Sequence, residues 1–325
     1  MSANISFLNQ RAEAFTALTP AWWDRDEEYV ADKYITSEEI WGSRGLLNFE
    51  YELCDVYDED HNIIPGYKRT VRTDTGQTIA VGMTEQYKIV QPREAFAWVD
   101  SLGDMKYASA GVLNGGKQIW LLGLIPGGDE DAVDVHRKYI LWLDDFTATK
   151  SLLWFPCFTR VVCENTANMA KGERTKVHVP VRHKGNVDAK LETAKQAIVA
   201  SEEAFKEYAT NCIKLMNARY TIDDANEFVN TLFPAVEGAS QRTQSIREGK
   251  IRVLQEALNA PCNNVGDMQG TFYQLYNCVT YAVDHGGLLI SRGQGDKGKS
   301  NKWLSLMVGQ GAELKTRAFE LALSM

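Results

Sequence analysis

Alternation of apolar and polar residues predicts β-hairpins in the first half of the chain. The stretch YKRTVRTDTGQTIAVG alternates on both sides of the turn signal Asp74-Thr75-Gly76, which indicates one hairpin over residues 67–81. The stretch MKYASAGVLNGGKQIWLLGLI predicts a second hairpin, turning at Asn114-Gly115-Gly116. Further strands are predicted over residues 86–90, 138–144 and 150–155.

Helical signals are sparse before residue 185 and dense after it. Thr36 and Glu39 have the spacing of a capping box, and Pro92 suits the first turn of a helix that ends near Leu102. Apolar periodicity then predicts helices over 187–218, 223–232 (capped by Asp223), 240–260, 267–283 and 302–322. We therefore expect an α+β fold in three parts: an acidic N-terminal segment (1–66), an α+β core domain (67–185) and a helical domain (186–325).

Charge is distributed unevenly along the 325 residues, whose formal net charge is −8. Residues 1–60 hold 4 Lys and Arg against 14 Asp and Glu, whereas residues 135–185 hold 9 basic against 4 acidic residues. A local basic patch can attract phosphates despite the net charge, because salt screens charges beyond about 10 Å. Nucleic-acid binding therefore stays open.

The chain has the composition of an ordinary globular protein, with 44% hydrophobic and 24% charged residues. It has no apolar run near the roughly 20 residues of a membrane span, and its N-terminus does not resemble a signal peptide. Six cysteines without a CxxC pair predict reduced thiols, mostly buried. We expect a cytoplasmic protein.

One segment matches the phosphate-binding pattern GxxxxGK[ST]: GQGDKGKS, from Gly293 to Ser300. A nucleotide-binding loop of this type opens a parallel βαβ sheet, yet the 25 residues after Ser300 predict only one helix. The pattern therefore favours a Gly- and Lys-rich loop, and we expect no nucleotide cofactor.

Two further patterns could carry chemistry. Cys157, Cys163, His178 and His183 approach the spacing of a zinc site, but their first two gaps are too long. Cys163 could form a nucleophilic dyad with His183 or His285 only through folding that sequence does not show. The expectation is no metal and no enzymatic activity, with a Cys/His enzyme kept as an alternative.

Basic residues interleave with aromatic residues on the predicted strands, as Lys117 does with Trp120 and Lys138 with Trp142. This pattern suits a single nucleic-acid strand, because cations follow the phosphates while rings stack on bases. The competing interpretation places the rings in the core. The candidate nucleic-acid-binding residues are Lys68, Arg69, Arg72, Lys117, Arg137, Lys138, Lys150, Arg160, Arg174, Lys176 and Arg182.

Several stretches resemble a family of phage- and plasmid-encoded proteins defined by the domain of unknown function numbered 932. They include TRVVCENTANMA, VRHKGNVDAKLETA, GTFYQLYNCVTYAVDH and MVGQGAELKTRAFELAL. The sequence departs from the family pattern at Ala167, where a larger apolar residue is expected, and at Tyr281 and Ala282. Its marked positions, besides Arg160 and Arg182, are Cys163, Asn165, Thr166, His183, Asn277, Thr280, Asp284 and His285.

The resemblance implies a β-β-β-α core similar to that of single-strand annealing proteins of the RecT, Red-beta and Rad-fifty-two type. It thereby implies an oligomeric protein that binds single-stranded DNA and anneals complementary strands without ATP. A second hypothesis is a phage or plasmid protein that engages a host protein through its acidic segment.

Overall fold

Sheets with one short helix make up the first half of the chain, and helices make up most of the second, in an α+β fold. The computed structural model describes residues 6–8, 11–17, 29–125, 136–160, 166–168, 179–199, 201–264, 266–288 and 309–325. Its strands are β1 (Phe7–Leu8), β2 (Arg11–Ala12), β3 (Ala14–Ala17), β4 (Tyr29–Ala31), β5 (Tyr51–Tyr57), β6 (Ile63–Arg72), β7 (Thr78–Met83), β8 (Lys106–Leu113), β9 (Gln118–Leu124), β10 (His136–Asp145), β11 (Leu152–Arg160), β12 (Thr166–Asn168) and β13 (Val179–Val181).

The larger sheet has the strand order β12-β11-β10-β9-β8-β3-β4, and β13 pairs with the first part of β11. Its pairs are antiparallel except β3 with β4. Trp142 on β10 lies opposite Trp154 on β11, and both are fully buried. Apolar side chains cover both faces of β10, so this strand runs through the centre of the core.

The smaller sheet, in the order β5-β6-β7, packs at one end of the larger sheet. The Tyr51 hydroxyl donates to the Gly116 carbonyl at 2.6 Å, and the Tyr51 ring stacks on Phe146 with centroids 3.7 Å apart. Thr70 Oγ1 donates to the Phe146 carbonyl at 3.0 Å. These buried contacts fix the small sheet over the turns that follow β8 and β10.

Helix α1 (Pro92–Asp100) begins where local sequence dictates. Pro92 occupies the first turn, and Gln91 and Glu94 form a reciprocal capping box. The Gln91 side chain also bonds the backbone of Tyr51 on β5, with both distances 2.9 Å. The buried face of α1 includes Phe96 and Val99, which join the core of the large sheet.

The helices of the second half are α2 (Val187–Val199), α3 (Ser201–Asn217), α4 (Ile222–Leu232), α5 (Gln241–Leu258), α6 (Phe272–Asp284) and α7 (Gln310–Ser324). Thr221, Ser240 and Thr271 cap α4, α5 and α6 with their hydroxyls. Helix α6 is buried along almost its whole length, because α3, α5 and α7 all contact it. A second apolar core therefore surrounds α6.

The structure confirms both predicted hairpins, the capped turn at Thr36 and the mainly helical second half. The predicted strand over residues 86–90 is wrong, because only Tyr87 forms a bridge, with Lys184. The cap of α4 is Thr221 rather than Asp223, and α6 begins at Phe272 rather than 267. The boundary expected at residue 66 falls within β6.

No helix in the part of the chain that the structure describes is both long and apolar enough to cross a bilayer.

Candidate nucleic-acid interface

The first two candidate cations, Lys68 and Arg69, lie on β6 and contact Asp55 on the neighbouring strand. Lys68 Nζ forms an ion pair with Asp55 at 2.6 Å, and this hydrogen bond raises the pKa of Lys68. Arg69 donates to the Asp55 carbonyl at 3.3 Å and to Thr78 Oγ1 at 2.7 Å. Both cations are half-buried, so only part of each is open to a ligand.

Arg72 is an internal group rather than the surface cation that the sequence suggested. Its guanidinium is 2% exposed and bonds both carboxylate oxygens of Glu13 on the neighbouring segment. It also bonds Asp74 at 2.7 and 2.8 Å and lies 3.8 Å from the centre of the Phe49 ring. Through this packing and charge pairing, Arg72 connects the N-terminal strands to the small sheet.

The aromatic rings proposed for base stacking are also internal. Trp120, Tyr139 and Trp142 are buried, and Lys138 is 6% exposed with its Nζ 4.3 Å from the centre of the Phe205 ring on α3. The competing interpretation, with the rings in the core, is therefore correct for this sheet. Lys138 joins the sheet to the helical region instead of presenting a charge to solvent.

Three of the candidate cations, Lys117, Lys150 and Arg182, are exposed. Lys150 and Arg182 lie close together, because Leu152 on β11 pairs with Val181 on β13. Lys117 lies beside the end of β10, because its carbonyl accepts from the Phe146 amide at 2.9 Å. All three cations therefore lie at the same end of the large sheet.

Sequence reasoning missed two further exposed cations at this end, Lys88 and Lys184. The Lys88 amide donates to the His183 carbonyl at 2.9 Å, and Lys184 forms the bridge with Tyr87. We call Lys88, Lys117, Lys150, Arg182 and Lys184 the basic rim. None of the five forms an ion pair with another described residue.

Beneath the basic rim, His183 is buried against acidic groups. Its Nε2 lies 2.7 Å from Asp144 Oδ1, its Nδ1 lies 2.8 Å from the Lys88 carbonyl oxygen, and its ring stacks on Tyr87. Both nitrogens thus lie near oxygen acceptors, an arrangement that favours the protonated ring. Burial alone would lower the pKa of His183, but the hydrogen bond and charge of Asp144, with the charge of nearby Asp145, outweigh it and raise the pKa.

This raised pKa predicts a pH-dependent stability. A group whose pKa is higher in the folded state stabilises the fold fully below its unfolded pKa of about 6.5 and loses that contribution as pH rises through the folded value. The free energy of unfolding, measured by urea denaturation, should therefore fall as the pH rises above about 6.5. His183→Gln should have a flatter profile, and an identical slope in both proteins would contradict the assigned ion pair.

The late family motif forms a buried polar stripe on α6. Asn277, Thr280 and Asp284 are each at most 4% exposed, and Asp284 Oδ1 lies 2.9 Å from Lys315 Nζ on α7. Asp284 Oδ2 is buried without a hydrogen-bond partner among the described residues. His285 follows the helix, with its amide donating to the Tyr281 carbonyl at 2.8 Å.

Strand β12, which contains Thr166, contacts α7. The fold thus brings the first and last family motifs together at the junction of sheet and helices. Lys315, which completes the ion pair, gave no signal in the sequence beyond its place in a helical pattern.

Other candidates lie wholly or partly outside the described residues. Cys163, Asn165, Arg174, Lys176 and the GQGDKGKS loop fall there, and for Arg137, Arg160 and Thr166 only the strand backbone is described. Within the described ranges, no group of three or more His, Cys, Asp or Glu could hold a metal ion. Among the described residues, Cys54, Cys212, Cys262 and Cys278 form no disulfide, and burial raises the pKa of the Cys278 thiol.

These features define an α+β protein with a cationic sheet end and a polar helical junction. Residues 82–307 match the model of the domain of unknown function DUF932. The match covers more than half of the chain, and the protein therefore belongs to this family. No curated protein and no solved structure matches the chain.

Proposed function

We propose that this protein binds single-stranded DNA through the basic rim and, as an oligomer, aligns complementary strands for recombination or repair without ATP. The observation that carries the proposal is the set of five exposed cations at one sheet end, unpaired by described acids. Such cations attract phosphates and release condensed counterions when a nucleic acid binds.

The neighbouring small sheet extends the cationic surface toward Lys68 and Arg69. It is fixed to the rim end by the contacts of Tyr51 and Thr70 with Gly116 and Phe146. Because the central aromatic rings are buried, the proposed binding relies on phosphate contacts rather than on stacking against this sheet. Annealing itself rests on the resemblance to single-strand annealing proteins.

The proposal assigns no catalytic step to the chain. Both ring nitrogens of His183 are already engaged, by Asp144 and by the Lys88 carbonyl, so neither is open to a nucleophile. A role in positioning the rim fits this arrangement better, since the backbone of His183 lies between the rim residues Arg182 and Lys184.

Reversing three charges of the rim should strongly weaken its affinity for DNA. The variant Lys150→Glu/Arg182→Glu/Lys184→Glu removes three phosphate contacts, so the slope of log affinity against log salt should fall by about 2. Fluorescence anisotropy with a labelled single strand and the matching duplex, at about 50 and 200 mM salt, measures both affinity and slope. The wild type should prefer the single strand.

A matched control makes the same charge change on the helices. Lys206→Glu/Arg242→Glu/Arg252→Glu alters three exposed cations of α3 and α5 and should keep most of the affinity. Equal losses in the two variants would show a nonspecific effect of net charge. Absence of binding by the wild type at low salt would refute the proposal.

A further inference from the structure

The tip of the β5–β6 hairpin carries exposed apolar side chains. Tyr57 and Ile63, which pair beside the turn, are 52% and 53% exposed. Farther along the same sheet, Tyr67 on β6 is 53% exposed, and Val81 on β7, opposite Arg69, is 61% exposed. Scattered exposed apolar residues are ordinary, but several on one small sheet are typical of a surface that contacts another macromolecule.

Acidic residues border these apolar side chains. Asp58, Glu59 and Asp60 are all exposed in the turn between β5 and β6. Asp58 Oδ1 accepts from the amides of Asn62 at 2.8 Å and Asp60 at 3.0 Å. The hydrogen bond from the Asn62 backbone is the main cause that lowers the pKa of Asp58, and the two backbone hydrogen bonds hold the turn in place.

We propose that this acidic hairpin tip of one copy of the protein docks on the basic rim of a second copy. The two surfaces are complementary in charge, with three carboxylates against five cations. The exposed ring of Tyr57 at the tip can also receive a lysine or arginine side chain in a cation–π contact. Glu13, another acidic residue of the N-terminal segment, already pairs with Arg72.

Docking between two different surfaces has a structural consequence. Each copy would keep one free tip and one free rim, so the contact repeats head to tail and produces a ring or a filament. The inference rests on the proposed function in one respect, which is that DNA and the tip would use the same cations. DNA should then compete with the tip for the rim, so the head-to-tail contact belongs to the DNA-free protein, and an oligomer that aligns strands on DNA would use other contacts.

Charge reversal on each surface separately provides the test. Glu59→Lys/Asp60→Lys reverses the tip while leaving Asp58 to hold the turn, and Lys150→Glu/Arg182→Glu/Lys184→Glu reverses the rim. Analytical ultracentrifugation at low salt should show concentration-dependent assembly of the wild type and monomers for each variant. An equimolar mixture of the two variants should assemble again, because each altered surface then meets its complement.

The control Glu227→Lys/Glu237→Lys makes the same charge change at exposed helical-region positions and should assemble like the wild type. A monomeric wild type, unchanged assembly of the tip variant, or a mixture that stays monomeric would each overturn the inference. DNA titration of the same samples separates the two proposals. Assembly without DNA affinity would refute only the function, and DNA affinity without assembly would refute only the docking.

Discussion

Replacing Arg72 with Met should lower the free energy of unfolding by about 3–5 kcal/mol, the usual cost of removing one partner from a buried ion pair. The Glu13 carboxylate accepts two hydrogen bonds from Arg72 and is itself buried. Without the guanidinium, that charge would remain in a low-dielectric site with its main donor gone. Urea denaturation monitored by tryptophan fluorescence measures the loss.

Two further variants separate the ion pair from packing. Arg69→Met alters a half-buried cation on the same strand and should cost about 1 kcal/mol or less. Adding Glu13→Gln to Arg72→Met removes the stranded charge and should recover part of the stability. A loss below about 1 kcal/mol for Arg72→Met would mean that Glu13 and Arg72 do not pair in solution.

Local signals in the sequence predicted the hairpins and most helices. At Asn114 and Gly115 the chain adopts positive φ angles of 56° and 67°, the conformation for which the Asn-Gly turn signal is selected. Pro92 and Thr36 likewise begin their helical segments through contacts within a few residues. The same local reasoning failed at Asp223, because the preceding Thr221 offers a hydroxyl that forms the reciprocal box with Asp224.

The site was less predictable because burial depends on partners distant in sequence. In the alternating pattern of β6, Arg72 stands at a position where a solvent-facing cation is expected. In the structure it is buried against Glu13, which lies 59 positions away in the sequence. In strand β10, Arg137 and Lys138 precede the aromatic residues Tyr139 and Trp142, which suggested an exposed stacking surface, yet the core covers both faces of the strand. The basic rim combines residues from separate segments, and only contacts such as Lys88 with His183 show that they meet.

The polar stripe of α6 includes Asp284, whose buried ion pair with Lys315 we expect to stabilise the fold. Lys315→Met should lower the free energy of unfolding by about 3–5 kcal/mol, because it leaves the Asp284 carboxylate buried and unpaired. Its second oxygen already lacks a partner among the described residues, so Asp284 has no alternative donor there. Urea denaturation of the full chain measures the effect.

The double variant Asp284→Asn/Lys315→Met should be more stable than Lys315→Met alone, since the remaining amide carries no charge. Arg317→Met, an exposed change on the same helix, should cost less than about 1 kcal/mol and serves as the matched control. If the double variant is no more stable than Lys315→Met, the loss comes from the packing of the lysine stem between α6 and α7. In that case the pairing of charges would not explain why both groups are buried.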